Sequence, residues 1–326
     1  MQDKNIQGSP EKICVVMTGF SCNNNCIVCS VRPFAANNPD NKTPDIISLM
    51  EEGRRNGIPG IEFTGGEPTM RKDILFLIAK AKEMGYKEIA LSTNARVFGY
   101  DHFMEAAIES GLNRITSTID GHNAAAHDAI TRTPGSFDQT IKGIRNIVAH
   151  GIRISVNTVF YRGSAKNLFE IGDLIASLGV PVWGILDLIP DGNISEIYPH
   201  FVVSLDDTYA ALDSIYDIAR RIDHVNLFDF PLCAIPERLR NSQHAAIFDA
   251  FSRSDLLHQT GYDPQRFTES QGSYTDIYKL RVSGCDKCLK ANDCAGIWKR
   301  YVDVYGKEDA ERFTENHLVS EYGGSE

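Results

Sequence analysis

Short apolar segments alternate with amphipathic segments over the first 188 residues. The apolar runs have the length and composition of buried strands, and most are followed by residues at helical spacing. Strands are predicted over 13–17, 60–64, 88–93, 113–119, 152–160 and 182–188, and helices over 44–56, 71–84, 102–110, 137–150 and 165–178. Such strand–helix units favour right-handed crossovers and a parallel sheet. The pattern therefore predicts an α/β fold whose sheet curves toward a partial (β/α)6 barrel.

The regular alternation ends near Pro190. One amphipathic helix is predicted over 204–221, and the segments beyond it follow no regular order. We therefore expect an N-terminal tail over 1–12, the barrel over 13–189, and a smaller C-terminal extension over 190–326. Because only the short tail precedes the first strand, we expect no separate peptide-recognition domain ahead of the barrel.

Composition argues against a nucleic-acid-binding protein and against a membrane-spanning one. The chain has 33 Lys and Arg residues against 43 Asp and Glu residues, a net charge of −10, so a nucleic-acid partner is not expected. No stretch approaches about 18 consecutive apolar residues, so we expect no membrane-spanning helix. The polar start of the chain lacks the apolar run of a secretory signal, and the expected location is the cytoplasm.

The eight cysteines are unevenly distributed. Three lie close together near the start, three lie close together near the end, and only Cys14 sits within an apolar strand. In a reducing compartment thiols remain free, so clustered cysteines favour metal ligation over disulfide bonds.

The first group has the spacing C-x3-C-x2-C and comprises Cys22, Cys26 and Cys29, directly after the first predicted strand. Three thiolates can bind three irons of a [4Fe–4S] cluster and leave the fourth iron open to a substrate or cosubstrate. A zinc site would need a fourth ligand, and the nearest histidine in sequence is His102. Unliganded surface thiols are the other alternative.

Several loops that follow predicted strands carry further motifs. Gly65-Gly66-Glu67-Pro68-Thr69 follows the second strand, Ser92-Thr93-Asn94 follows the third, and Ser117-Thr118-Ile119-Asp120-Gly121 follows the fourth. His127-Asp128 and Arg132 come next, and Asn157 lies on the fifth strand. Together with the cysteine loop, these motifs resemble those of the radical S-adenosylmethionine (SAM) superfamily over residues 13–188.

The resemblance implies a partial (β/α)6 radical SAM barrel with a [4Fe–4S] cluster on Cys22, Cys26 and Cys29. It also implies that SAM is bound by Gly65, Gly66, Glu67, Ser92, Asn94, Ser117, Arg132 and Asn157. In this family the GGEP loop holds the amino group of SAM, and Ser117 and Arg132 are the expected partners of its carboxylate. The chain departs from the common pattern at Val28, where an aromatic residue is usual, and at Ala95, where glycine is commoner.

The implied reaction is reductive cleavage of SAM to a 5′-deoxyadenosyl radical, which abstracts hydrogen from a substrate. The protein would supply orientation and a dry cavity for chemistry that belongs to the cofactor. The expected electron donor is a protein such as flavodoxin or ferredoxin.

The second group, Cys285, Cys288 and Cys294, has the spacing C-x2-C-x5-C, and Cys233 is the expected fourth ligand. This arrangement resembles the C-terminal SPASM and Twitch extensions, which hold auxiliary clusters. A full SPASM extension has about seven cysteines, whereas this extension has four and places Trp298 where a further cysteine would stand. One auxiliary [4Fe–4S] cluster is therefore expected, with a structural zinc ion as the alternative.

The resemblance leaves the substrate open. Modification of a ribosomally made peptide, by oxidation or cross-linking, is the leading hypothesis, because SPASM-type enzymes often act on peptides. The alternative is a dehydrogenase or decarboxylase acting on a small molecule such as a sugar or nucleoside. Asp187 and Asp191, beside the end of the sixth predicted strand, are candidate substrate contacts. An iron–sulfur or zinc protein used for sensing or scaffolding is the non-enzymatic alternative.

Overall fold

The computed structural model describes residues 13–35, 37–190, 193–248, 257–260 and 278–319. The strands in this part of the chain are β1 (Ile13–Met17), β2 (Gly60–Thr64), β3 (Glu88–Ser92), β4 (Arg114–Thr118), β5 (Arg153–Phe160), β6 (Val182–Asp187), β7 (His224–Phe228), β8 (Ala245–Phe248), β9 (Leu257–Thr260), β10 (Lys279–Leu280) and β11 (Ile297–Trp298). Nine of them form one sheet in the order β8-β7-β6-β5-β4-β3-β2-β1-β9, and every pair in it is parallel. Strands β10 and β11 form a separate antiparallel pair.

Helices connect the parallel strands and cover the sheet. They are α1 (Arg32–Ala35), α2 (Thr43–Arg55), α3 (Ile74–Glu83), α4 (Asp101–Ser110), α5 (Ala124–Thr131), α6 (Ser136–Ala149), α7 (Arg162–Ala165), α8 (Leu168–Ser177), α9 (Asn193–Phe201), α10 (Leu205–Ser214), α11 (Tyr216–Ala219), α12 (Glu237–Arg240), α13 (Lys299–Tyr305) and α14 (Lys307–Asn316). No helix in the described ranges is long and apolar enough to cross a membrane.

The predicted α/β fold is confirmed, and each of the six predicted strands agrees with β1–β6 to within one residue at either end. The sheet nevertheless continues beyond residue 190, because β7 and β8 add to its edge next to β6. These strands are short, and Asn226 interrupts the apolar run of β7, so their sequence signal is weak. The boundary at residue 189 remains a prediction, and the tail over 1–12 lies outside the described residues.

Two local predictions differ from the structure. Helix α5 was not expected, although the side chain of Asn123 caps its start by accepting the Ala126 N–H at 2.9 Å. The single helix predicted over 204–221 is instead two helices, α10 and α11, because Ile215 leaves the helical conformation with ψ near 4°. The apolar spacing continues across that break, which is why the pattern alone suggested one helix.

Two groups of buried side chains hold the fold together. The larger one lies between the parallel sheet and its helices. The smaller one joins the ends of β5 and β6 to the C-terminal residues, and it includes Tyr198, Trp298, Tyr301 and Phe313, all nearly inaccessible to solvent. The C-terminal segment is thus packed against the carboxyl end of the sheet.

A buried ion pair adds to this contact. The Lys279 ammonium lies 3.7 Å from the Asp229 carboxylate, donates to the Asp229 carbonyl at 2.9 Å, and stands 4.4 Å from the centre of the Trp298 ring. Both charged side chains are at most 3% exposed. Lys279 therefore links the antiparallel pair β10–β11 to the residue that follows β7.

We expect Lys279→Met to lower the free energy of unfolding by about 3 kcal/mol, because it removes one partner of a buried ion pair. Lys307→Met is the matched control, since Lys307 is 67% exposed and pairs with Glu311 at the surface. Its effect on stability is expected to lie within experimental error. Denaturant titration of each purified variant measures the difference, and equal effects of the two substitutions would contradict this account.

Candidate functional site

The cysteine loop follows β1 and carries three free thiols. The Sγ atom of Cys22 accepts the Asn24 N–H at 3.3 Å, and the Sγ atom of Cys29 accepts the Arg32 N–H at 3.3 Å. The Asn24 N–H favours the thiolate form of Cys22, which is the form that binds iron.

The loop after β2 packs directly on the backbone of residues 19–21. The Gly66 N–H donates to the Gly19 carbonyl at 2.8 Å, and the Glu67 N–H donates to the Ser21 carbonyl at 2.7 Å. A Cβ atom on Gly65 would stand 2.3 Å from the Gly19 oxygen, and one on Gly66 would stand 2.2 Å from the Ser21 oxygen. The two glycines are therefore required by close contact with the start of the cysteine loop.

The carboxylate of Glu67 is buried between the loops after β2 and β3. One oxygen accepts from the Thr69 N–H at 3.0 Å, the Thr69 hydroxyl at 2.6 Å and the Thr93 hydroxyl at 2.7 Å. The other oxygen accepts the Asn94 N–H at 2.7 Å. Four donors nearly fill the accepting capacity of a carboxylate. Glu67 thus fixes the relative position of two loops expected to bind SAM.

Two further elements hold the cysteine loop from the other side. The Asn25 N–H donates to the Thr131 carbonyl at 2.8 Å, and the Ile27 N–H donates to the Ile130 carbonyl at 2.9 Å, which ties the loop to the end of α5. Arg96 donates to the Asn23 carbonyl at 2.8 Å and to the side-chain oxygen of Asn24 at 2.7 Å. The loop is therefore braced on both sides of Cys26.

These loops line an open cleft at the carboxyl ends of β1–β5, where parallel α/β sheets bind ligands. All three cysteines of the loop line it. So do six of the eight residues predicted to bind SAM, namely Gly65, Gly66, Glu67, Ser92, Asn94 and Asn157. Sequence positions that are 135 residues apart thus meet around one cavity.

Ser117 does not line this cleft. Side chains alternate between the faces of a strand, and on β4 the neighbours Thr116 and Thr118 face the cleft while Ser117 is buried on the opposite side. The expected contact between Ser117 and the SAM carboxylate is therefore not supported. Thr118, the next hydroxyl along β4, lines the cleft and is therefore the better candidate for this contact.

Arg132 also lies outside the cleft lining. It is exposed and follows α5 in the left-handed conformation, with φ of 52°. Its role toward SAM remains a prediction. Ala95, which stands where glycine is commoner, retains a left-handed conformation with φ of 61°, so the loop keeps a backbone shape that favours glycine.

Burial raises the pKa of two of the thiols in the cysteine loop. It raises the pKa of Cys26 to about 12, with a further contribution from the nearby Asp120 carboxylate, and it also raises the pKa of Cys22. A buried thiolate needs a compensating positive charge, and iron ions would supply it. The donor set therefore fits a [4Fe–4S] cluster with three protein ligands.

The second cysteine group also comes together. Cys233, Cys285, Cys288 and Cys294 are free thiols that line one small cavity of about 350 Å³. The Cys294 Sγ atom accepts main-chain N–H groups from Leu232 at 3.5 Å and Gly296 at 3.4 Å. Burial raises the pKa of Cys233, and the other three cysteines raise it further.

Four thiols around one cavity fit a cluster with four protein ligands. Within the described ranges, no three His, Cys, Asp or Glu side chains are close enough to hold a single metal ion. In a [4Fe–4S] cluster each thiolate binds a different iron, so the thiols need not converge on one point as they do around a single ion. What supports a cluster at each cysteine group is that the ligands are thiols and that they line one cavity.

Asp187, at the end of β6, contacts the protein itself. Its carboxylate accepts the indole N–H of Trp298 at 2.8 Å and the Leu188 N–H at 2.9 Å, and burial raises its pKa to about 6. Asp187 is not among the residues that line the cleft, and its contact with a substrate remains a prediction. Asp191 lies outside the described residues.

Curated proteins similar in sequence share part of their length with this chain. An AdoMet-dependent heme synthase from Nitratidesulfovibrio vulgaris is 31% identical over 201 residues, which cover 61% of this chain and 54% of that protein. A probable GTP 3′,8-cyclase from Saccharolobus solfataricus is 27% identical over 189 residues, which cover 57% of this chain and 59% of that protein. The chain thus spans little more than half the length of these relatives.

Solved structures show the same fold over nearly the whole chain. Streptococcus suis SuiB bound to the precursor peptide SuiA has a TM-score of 0.61 and 17% identity, over 90% of this chain and 73% of SuiB. The enzyme anSMEcpe with bound AdoMet has a TM-score of 0.61 and 13% identity, over 93% of this chain and 96% of the other. Because the sequence identities are this low, the similarity to these two structures shows a shared fold alone.

The opposite orientations of two adjacent hydroxyls on β4 can be tested. We expect Thr118→Ala to weaken SAM binding by at least about tenfold, because a hydrogen bond to a charged group contributes about 1.5–3 kcal/mol. Ser117→Ala is the matched control and should leave the dissociation constant within about twofold, because the Ser117 hydroxyl has no hydrogen-bond partner among the described residues. Calorimetric titration of iron-loaded protein with SAM measures both values. A larger effect of Ser117→Ala would restore the original assignment.

The match to a family model agrees with the geometry. Residues 16–170 match the radical SAM superfamily. This range begins within β1 and contains the cysteine loop, the GGE loop and all the residues that line the cleft. The part of the chain that is similar to the radical SAM superfamily is therefore the part that builds the cleft.

Proposed function

We propose that this chain is a radical SAM enzyme in which Cys22, Cys26 and Cys29 hold the SAM-binding [4Fe–4S] cluster. The observation that carries the proposal is the convergence of these three thiols with the GGE loop and the ends of β3–β5 on one cleft. One iron without a protein ligand would then face the side chains expected to bind SAM.

When bound, the cluster would supply the electron that cleaves SAM to methionine and a 5′-deoxyadenosyl radical, which then abstracts hydrogen from the substrate. The chain's own contribution is position and exclusion of water. Glu67 fixes the loops after β2 and β3, Thr118 offers a hydroxyl, and Asn157, its neighbour on β5, offers a carboxamide. A cleft that excludes water once its ligands are bound would shield a reactive species from side reactions.

We further propose a second [4Fe–4S] cluster on Cys233, Cys285, Cys288 and Cys294. Four thiolates leave no open coordination position, so this cluster would act as an electron carrier. A second cluster that can accept an electron favours net two-electron oxidation or bond formation over isomerisation. A flavodoxin- or ferredoxin-type donor would supply the electron that starts each turnover.

A ribosomally made peptide is the proposed substrate. Support comes from the fold likeness to SuiB with its precursor peptide and to anSMEcpe, which covers both the barrel and the C-terminal extension. The second candidate is a small molecule, which the names of the sequence relatives favour, since heme synthesis and GTP cyclisation both act on small molecules.

Cleavage of SAM by the purified enzyme tests the first proposal. Reconstituted protein with a strong reductant is expected to release 5′-deoxyadenosine, and Cys26→Ala should reduce the yield to background because it removes a cluster ligand. Cys14→Ala is the matched control, since Cys14 is buried in β1 away from the cleft, and it should retain most of the yield. Chromatographic quantification of 5′-deoxyadenosine decides the matter. Wild-type yield from Cys26→Ala would contradict the assignment.

The substrate class can be tested with the same product. A peptide substrate should raise the rate of 5′-deoxyadenosine formation at least about tenfold and lose mass in pairs of hydrogens if it is oxidised.

Cys285→Ala should preserve SAM cleavage while reducing the yield of oxidised peptide, because it removes a ligand of the auxiliary cluster alone. Stimulation only by nucleotides, sugars or heme precursors would instead favour the small-molecule candidate.

A further inference from the structure

His127 lies on α5 and is 2% exposed, yet its ring is only partly hydrogen-bonded. The Nδ1 atom accepts the main-chain N–H of Asp120 at 3.2 Å. An imidazole nitrogen that accepts a hydrogen bond carries no proton, so in the neutral ring the proton resides on Nε2. Burial also lowers the pKa of His127 to about 4, which keeps the ring neutral near pH 7. His127 is thus a fixed Nε2–H donor.

This donor has no acceptor among the described residues. The Nε2 atom is fully buried without a hydrogen-bond partner, and His127 belongs to the lining of the cleft. A buried N–H group without a partner costs about 1–3 kcal/mol. Its retention inside a ligand cleft therefore indicates that an acceptor belongs to whatever fills the cleft.

The three thiols of the cysteine loop differ in the hydrogen bonds that they accept from the main chain. The Sγ atoms of Cys22 and Cys29 each accept a main-chain N–H from a residue further along the loop. In the part of the chain that the structure describes, the Sγ atom of Cys26 accepts none from another residue. Cys26 is also less exposed than Cys22, and the nearby Asp120 carboxylate disfavours its negative charge.

Main-chain hydrogen bonds on either side of Cys26 attach the cysteine loop to the helix that carries His127. The residues on either side of Cys26, Asn25 and Ile27, donate main-chain hydrogen bonds to Thr131 and Ile130 at the end of α5. His127 lies about one helical turn before these acceptors on the same helix. The Asp120 N–H, which fixes the ring, comes from the end of β4 beside the cleft.

We propose that His127 donates its Nε2–H to the [4Fe–4S] cluster at the Cys26 corner and raises the reduction potential of that cluster. Reduction adds negative charge to the cluster, and a hydrogen bond to sulfur stabilises the reduced form more than the oxidised form. His127 is a positioning and tuning residue in this role. The inference rests on the proposed cluster at Cys22, Cys26 and Cys29.

The direct test observes the contact in the wild-type enzyme. Protein labelled with ¹⁵N-histidine, reconstituted and reduced, is examined by pulsed EPR for hyperfine coupling between the SAM-binding cluster and a histidine nitrogen. We expect a coupling that disappears in His127→Gln and persists in His102→Gln, whose histidine is exposed on α4. Absence of any ¹⁵N coupling in the wild type would overturn the inference, whether or not the variants fold well.

A redox titration measures the consequence. At a potential poised at the wild-type midpoint, His127→Leu should lower the ratio of reduced to oxidised SAM-binding cluster about tenfold, which equals about 59 mV for one electron. His127→Gln, which keeps an N–H donor, should recover part of that change, and the auxiliary cluster should not shift. An unchanged ratio in an iron-replete His127→Leu protein would reject the inference and leave the proposed function intact. A wild-type protein without iron at the first cysteine group would instead reject the proposed function.

Discussion

The buried carboxylate of Glu67 accepts hydrogen bonds from residues on two loops, and the rest of the cleft depends on this contact. Its own main chain pairs with Ser21 at the start of the cysteine loop, while its side chain holds Thr93 and the backbone of Asn94. Three loops that follow β1, β2 and β3 are thereby fixed relative to one another. Because a parallel sheet already brings these loops to one edge, a single carboxylate suffices to set their spacing.

Much of this arrangement follows from the sequence. The spacing of Cys22, Cys26 and Cys29 predicts an iron-binding loop, and the glycine pair before Glu67 predicts a second loop at the same site. The reason that these two positions are glycine becomes clear only in the structure. Gly65 and Gly66 approach the backbone of residues 19–21, a contact between segments far apart in sequence that periodicity cannot reveal.

Other features depend on three-dimensional detail. The choice between Ser117 and Thr118 turns on a shift of one residue, which moves a side chain to the opposite face of a strand. Strand β7 pairs with β6 and β8 pairs with β7, and these pairings, rather than a distinct apolar pattern in their own sequences, define the two strands. The pairing of Asp187 with Trp298 joins residues 111 positions apart, and no local pattern predicts it.

The central claim is that the two cysteine groups hold two separate [4Fe–4S] clusters. Iron and acid-labile sulfide per chain, after anaerobic reconstitution, test it most directly when wild type is compared with the triple variant Cys22→Ala, Cys26→Ala, Cys29→Ala. The account predicts about eight irons in the wild type and about four in the variant, because each cluster holds four. A wild type with about four irons and one bound zinc would make the C-terminal group structural, and an iron content unaffected by the triple substitution would contradict the account.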